Sequence, residues 1–416
     1  MTSGKVYVIG AGLAGLAAAV RLAGRGRAVT VIEAAAQAGG RCRSYLDPAL
    51  GMTIDNGNHL LLSGNRAAFD YLAEIGAADR VAGPEEAVFD FFDLRDGRRW
   101  TLRPNTGALA WWIFDPARRV PGTRALDYLA FARLIGPQGA RRVDQAISCE
   151  GTLWDRLIDP FLLAALNTDP PGASAALAAA VVRETLALGG HACRPRIAHP
   201  SLDAAFIAPA LAFLEQRGAQ VRLGQRVQAL DFEAGRVAAI RLGSQTLRLL
   251  PDDQVVLATP PWVTRDLAAG VETPDAFKAI VNGHFRIQAP AGAPAMVGVI
   301  GGAAQWLFAF EGRISVTVSG ADDLVDQDRE ALAARLWRDV ARVYGLDGPL
   351  PAWQIVKEKR ATFAATPEQA AKRPGARTGW PNLVLAGDWT DTGLPATIEG
   401  AIRSGHKAAA LVLEGR

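Results

Sequence analysis

Lys5-Val-Tyr-Val-Ile-Gly10-Ala-Gly12-Leu13-Ala14-Gly15, answered by Val29-Thr-Val-Ile-Glu33, is the stretch on which the fold turns. A β-branched run enters a glycine turn, an alanine-rich segment follows, and a second apolar run ends in an acid. That order predicts strand, helix and strand, the setting in which G-x-G-x-x-G has a physical meaning. Gly10 permits the tight turn, and Gly12 lets the backbone approach a pyrophosphate. Gly15 lets the helix lie close on its strand, and the N–H groups at the helix start, around Leu13 and Ala14, face the anion. Glu33 closes the second strand, where its carboxylate can accept hydrogen bonds from both hydroxyls of a ribose.

Just beyond Glu33 the chain reads Gly39-Gly40-Arg41. Two further glycines and an arginine supply backbone donors and a cation to a dinucleotide pyrophosphate. A nicotinamide domain has no need of this extension, so the stretch points to FAD. The other reading is a solvated glycine turn.

With 416 residues the chain is too long for one compact core, and two or three domains are expected. A formal net charge of only +3, from 45 basic and 42 acidic residues, speaks against a nucleic-acid partner. Cys42, Cys149 and Cys193 are too few and scattered for a disulfide framework, which indicates a reducing compartment. No apolar run reaches the roughly 18 residues of a spanning helix. The N-terminus enters a strand at once, without a signal peptide. These features predict a cytoplasmic protein, with any membrane contact at the inner face.

Downstream, Met52-Thr-Ile-Asp55-Asn-Gly57-Asn58-His59 reads as a strand entering a glycine turn. Backbone at Gly57 and Asn58 can approach a flavin ring, and His59 can point into the same space. Leu60 to Ile75 reads as a helix. From Val81 the pattern changes to strands and a hairpin at Asp96-Gly97, and Ala108 to Leu134 is aromatic and basic together. There Trp111-Trp112-Ile-Phe114 is interleaved with Arg118, Arg119 and Arg133, either a surface that dips into a bilayer or an ordinary helical cap. Trp154 to Ala180 reads as helix, interrupted at Asn167-Thr-Asp-Pro170-Pro171, where two prolines must break it. His191 and His199 lie eight residues apart with no partner cluster, so no metal site is expected.

The nucleotide-binding pattern then resumes. A helix from Phe206 to Gln216 is followed by short strands at 220–224, 227–230 and 235–242, then a buried strand at 253–259. Val227 is the expected adenine contact. No second G-x-G-x-x-G occurs, so a dedicated NAD(P)H domain is missing. Strands and a helix from Asp328 to Tyr344 mark a second visit to the other domain, and Gln305-Trp306-Leu-Phe308-Ala-Phe310 suits a core or an apolar channel wall. Near the C-terminus, Asn382-Leu-Val-Leu-Ala-Gly387-Asp388-Trp389 is a strand ending in Gly-Asp, and a helix opens at Thr397-Ile398. Both can hold the ribityl and pyrophosphate parts of the ligand. The resulting order is nucleotide-binding residues 1–76, 205–263 and 378–416, alternating with substrate-domain residues 77–204 and 264–377.

Together, Gly10-Ala-Gly12-Leu-Ala-Gly15, Glu33, Gly39-Gly40-Arg41, Asp55-Asn-Gly57-Asn-His59 and Ala386-Gly387-Asp388-Trp389 resemble the flavin amine oxidase and phytoene desaturase superfamily along essentially the whole chain. Leu166-Asn167-Thr168, Gln305-Trp306-Leu307-Phe308 and the Ala386-Gly387-Asp388-Trp389 ending are most similar to its squalene-associated branch in bacterial hopanoid synthesis. The resemblance implies an α/β fold: a discontinuous, glutathione-reductase-like Rossmann domain for FAD with an inserted α+β substrate domain. It also implies a flavin, held without a covalent bond, that delivers hydride to a polyprenyl substrate, hydroxysqualene. Water leaves and squalene remains, with squalene-pathway enzymes as partners. The departing hydroxide needs a proton, and His59 is the first candidate donor, His199 the second. Where amine oxidases of this superfamily carry a lysine on a substrate-domain strand, this sequence has Asn282, with Lys278 out of phase. Two other readings keep most of these features: carotenoid-type desaturation or amine oxidation on the same fold, and a flavin protein that carries a polyprenyl lipid without turnover.

Overall fold

The computed structural model describes residues 4–415. Strands Gln220–Arg222, Val29–Ile32, Val6–Ile9, Gln254–Leu257 and Leu383–Leu385 lie side by side in that order, all parallel. Val6 pairs with Val29 on one side and Gln254 on the other. These central strands are continuous apolar runs because both faces of the sheet are covered. Val6, Val8, Val29 and Val31 pack on helices Leu13–Gly24, Ala208–Gln216 and Ile398–Leu413. The alternate residues Tyr7, Ile9 and Ile32 face a layer that contains the antiparallel meander Val227–Glu233, Arg236–Leu242 and Gln245–Arg248. This is a Rossmann-type FAD-binding architecture whose strands come from well-separated parts of the chain, and residues between them build a second body.

That second body centres on a seven-stranded sheet, ordered Trp353–Phe363, Phe277–Phe285, Arg313–Val318, Trp306–Phe310, Met296–Ile300, Phe89–Asp93 and Arg98–Leu102. Helix Arg329–Tyr344 lays Leu332, Leu336, Val340 and Val343 against one face. Asp328 caps its start by accepting the Ala331 N–H, and Gly345 ends it in the left-handed region. The Trp306 run is part of this core: Trp306 packs edge-on to Phe91, which stacks on Trp100 at 5.3 Å.

Two local readings change. Leu60–Leu62 is a strand paired with Pro195–Ala198, and the helix begins only at Arg66. The pairing is non-local, and Gly64 fits against the Ala192 backbone where a helix would not. The expected 206–216 helix opens with a π-helical turn, Asp203–Ile207, before Ala208–Gln216. The 154–180 segment is a π-turn Trp154–Ile158, a helix Asp159–Leu166 and a helix Ala175–Glu184, interrupted from Asn167, left-handed at φ 49°, as the sequence indicates. Among the described residues no helix is long and apolar enough to cross a membrane.

Candidate active site

The carboxyl ends of the parallel strands bring the glycine turns and acids together, as open α/β sheets do. Gly39 donates its N–H to the Ala11 carbonyl at 2.8 Å, which places the Gly39-Gly40 turn beside Gly12. At Gly15 any side chain would strike the Gly10 carbonyl, so the helix can lie this close only with glycine. Gly12 is the opposite case: a methyl group there would meet nothing within 4 Å. It caps helix Leu13–Gly24 without a side chain, so the first-turn N–H groups, those of Leu13 and Ala14 among them, are left for an anion.

Glu33 accepts the Ala11 N–H at 2.7 Å on one oxygen and the Ala35 N–H at 2.8 Å on the other. Each oxygen keeps a lone pair. Gln225 donates its N–H to the Glu33 carbonyl, which brings buried Val227 to the same edge. Thr397 caps helix Ile398–Leu413 by accepting the Gly400 N–H, its own side chain thereby committed. Arg41 departs from the expected free cation. Its guanidinium pairs with Asp388 at 2.7 Å and donates to the Ala361 carbonyl, so it clamps the early and late half-sites together. Gly387 donates its N–H to Ser404, and the Trp389 indole N–H donates to the Thr259 carbonyl.

The turn from Asn56 to His59 is held from below. Asn282 is buried on strand Phe277–Phe285; its amide donates to the Asn56 carbonyl at 3.3 Å and accepts from the Thr317 hydroxyl at 2.8 Å. Asn58 donates to Thr317 at 3.0 Å, while its Oδ1 is buried without a partner. One turn of strand away, Asp55 faces Arg313 at 3.8 Å, and His284 Nδ1 meets the Ser315 hydroxyl at 2.9 Å. Asn282 therefore supports the turn through its own hydrogen bonds. Lys278 turns to an ion pair with Asp322 at 2.6 Å and is no substitute for the amine-oxidase lysine.

The two proton-donor candidates sit in different surroundings. His59 follows the turn with Nε2 beside Gly57, but burial pushes its imidazole down to about 4, Asp55 opposing the shift and Arg41 adding to it. An imidazole shifted this far is uncharged at neutral pH. His199 stands exposed at the surface; its main-chain N–H binds the Arg80 carbonyl, and its ring makes no hydrogen bond to the site. Sequence spacing reveals neither the burial of the first nor the exposure of the second.

Arg373 went unnoticed in the sequence. Its buried guanidinium donates to the carbonyls of Asp388, Trp389 and Thr390 and lies 4.8 Å over the Phe363 ring. Burial lowers it to about 10, still cationic at neutral pH, and it holds the Gly387–Thr392 loop in shape. The only signal was Lys372-Arg373-Pro374 ahead of the last strand, which no periodicity tied to the site. The open cradle at Gly12, the spare lone pairs of Glu33 and the orphaned acceptor of Asn58 all fit a flavin dinucleotide.

Residues 13–413 match the family described as flavin containing amine oxidoreductase. The chain is 54% identical over 409 residues to a hydroxysqualene dehydroxylase of Rhodopseudomonas palustris, covering 98% of each chain. It is 48% identical over 407 residues to one of Zymomonas mobilis, with the same coverage. Among solved structures it resembles cyclohexylamine oxidase from Brevibacterium oxydans at TM-score 0.73 and 15% identity, covering 99% of each chain. Putrescine oxidase aligns over 99% of each chain at TM-score 0.70 and 16% identity, a likeness of fold alone.

Proposed function

The chain belongs to the flavin containing amine oxidoreductase family, and on that premise we propose that it reduces hydroxysqualene to squalene, with FAD held non-covalently. The observation that carries this reading is identity near one half, over the full length, to proteins that bear the dehydroxylase name. Asn282 in the lysine position, tied into the protein by its own hydrogen bonds, favours it over amine oxidation. Cys193 is the last cysteine and is buried on the chain well before Trp389, so the C-terminal half-site offers no thiol for a tether.

The reaction breaks a carbon–oxygen bond and forms a carbon–hydrogen bond at the same carbon. Bound and reduced, the flavin supplies the two electrons as hydride. The chain's residues do the rest. Gly12 and the Leu13–Gly24 helix start bind the pyrophosphate, and Glu33 takes the ribose. The Arg41–Asp388 clamp and Arg373 fix the loop at the ring. Asn282 and Thr317 orient the Asn56–His59 turn. His59, neutral at pH 7, donates its N–H to the departing hydroxyl, which leaves as water with a proton from solvent. An allylic position eases the cleavage, because positive charge developing on carbon is delocalised.

The test is a single turnover without oxygen. Pre-reduced protein mixed with hydroxysqualene is expected to return to the oxidised flavin spectrum and yield one squalene per flavin. If the flavin stays reduced with hydroxysqualene, while oxidised protein is bleached by an amine or by a saturated polyene precursor, the reading moves to oxidation or desaturation.

A further inference from the structure

Nine large apolar side chains are exposed among the described residues, and five of them, Leu109, Trp111, Phe114, Leu126 and Leu129, fall within one stretch of the chain. Leu109 is 85% exposed, Leu126 72%, Phe114 70% and Trp111 53%, whereas the neighbouring Trp112 is buried. Single exposed leucines need no account, but a contiguous apolar display does.

The display is built, not frayed. Asn105 is buried; its amide donates to the carbonyls of Gly107 and Leu109 at 2.9 Å and accepts the Trp112 N–H. The loop is backed by Gly190, which donates to the Asn105 carbonyl, and by His191, which donates to Thr106. Beneath the surface the Trp112 and Tyr128 rings meet edge to face at 5.2 Å, and the Tyr128 hydroxyl accepts the Val120 N–H. These contacts set the one-turn helices Trp111–Phe114 and Ala125–Tyr128 side by side, with Trp111, Phe114 and Leu126 left facing outward.

Charge decides what fits. Residues 103–142 carry seven arginines and two aspartates, so this segment alone exceeds the +3 of the whole chain. Arg118 lies 4.7 Å over the Trp111 ring, and Arg103, Arg124 and Arg133 are exposed in the same stretch of the chain. A second copy docked through this face would set arginine against arginine. Protruding apolar tips accompanied by guanidinium groups match an interface of acyl chains under anionic headgroups.

We propose that this face docks the protein on an anionic lipid bilayer, Leu109, Trp111, Phe114, Leu126 and Leu129 entering the acyl boundary and the arginines engaging headgroup phosphates. The preference for lipid over an acidic protein also rests on the proposed hydrocarbon substrate, which partitions into the same bilayer.

Vesicle flotation of the flavin-loaded protein tests it. Wild-type protein should float with phosphatidylcholine vesicles containing phosphatidylglycerol, bind less to phosphatidylcholine alone, and release as salt rises. Leu109→Ser with Trp111→Ser and Phe114→Ser should weaken binding by tenfold or more. Arg124→Glu with Arg133→Glu should abolish the preference for phosphatidylglycerol. Both variants should keep the wild-type melting midpoint and their single turnover on detergent-dispersed hydroxysqualene, which separates failed docking from failed chemistry. Wild-type protein that stays off anionic vesicles, or a serine variant that binds them equally, overturns the proposal. Self-association or capture of an acidic protein through this face, without lipid binding, would overturn it too.

Discussion

Burial divides the five histidines into two kinds. His191 and His199 stand at the surface, while His284 is fully buried and His59 and His406 are half-buried, and desolvation pushes these three down to about 3, 4 and 4. His284 is the clearest, walled by Arg313, Asp55 and Ser315 and with no partner on Nε2. Unfolded, the same ring titrates near 6.5. Between those values the unfolded chain holds more protons than the folded one, so stability rises with pH across that window. It is complete above 6.5 and declines as the medium is acidified. Each such histidine contributes a slope of up to ~1.4 kcal/mol per pH unit. Urea denaturation at pH 7.5, 6 and 5 should show this loss, and His284→Gln should flatten it. An equal slope in that variant would show that His284 is not enclosed as described.

Asn167 carries a prediction at the scale of elements. Left-handed at φ 49°, it ends helix Asp159–Leu166 and ties it to three places on the substrate sheet. Its amide donates to the Thr362 hydroxyl at 2.9 Å and to the Lys278 carbonyl at 3.4 Å, and its Oδ1 accepts the Gly320 N–H at 2.6 Å. Asn167→Ala loses the left-handed preference and leaves buried donors and acceptors unpaired, at about 1–3 kcal/mol each. The expected loss is roughly 2–4 kcal/mol in chemical denaturation. Asn167→Gly should recover only the backbone part. Equal stability of the alanine variant and wild type would mean the helix end is not docked on the sheet.

For the whole molecule, the candidate ligand site draws on both ends of the chain: Gly10–Arg41 and Asn56–His59 early, Gly387–Ile398 late. A group bound across all of them stabilises the native state by mass action, about 2.7 kcal/mol at a free concentration a hundredfold above its Kd. Removing the flavin should lower the thermal midpoint, and added FAD should restore it. Acid precipitation should leave the yellow colour in the supernatant. Flavin that stays with the pellet, or a midpoint indifferent to FAD, would contradict non-covalent binding across the three segments.

The dinucleotide site was legible because it is mostly backbone. Gly10, Gly12 and Gly15 shape the turn and the helix start and Glu33 closes the second strand, and those follow from local residue order. The covered strands were legible for a similar reason, since continuous Val, Ile and Leu need both faces buried. What only the tertiary structure decided depends on groups distant in sequence. The turn of Leu60–Leu62 into a strand comes from Pro195–Ala198, and the hydrogen bonds of Asn282 come from Asn56 and Thr317. Arg41 is spent on Asp388, Arg373 on the late loop, and His59 loses its charge to desolvation. Trp111 and Trp112 are adjacent and chemically identical, yet one faces solvent and the other the Tyr128 ring. Composition could not tell them apart, because exposure and protonation are set by what packs against a side chain, and that is a property of the folded whole.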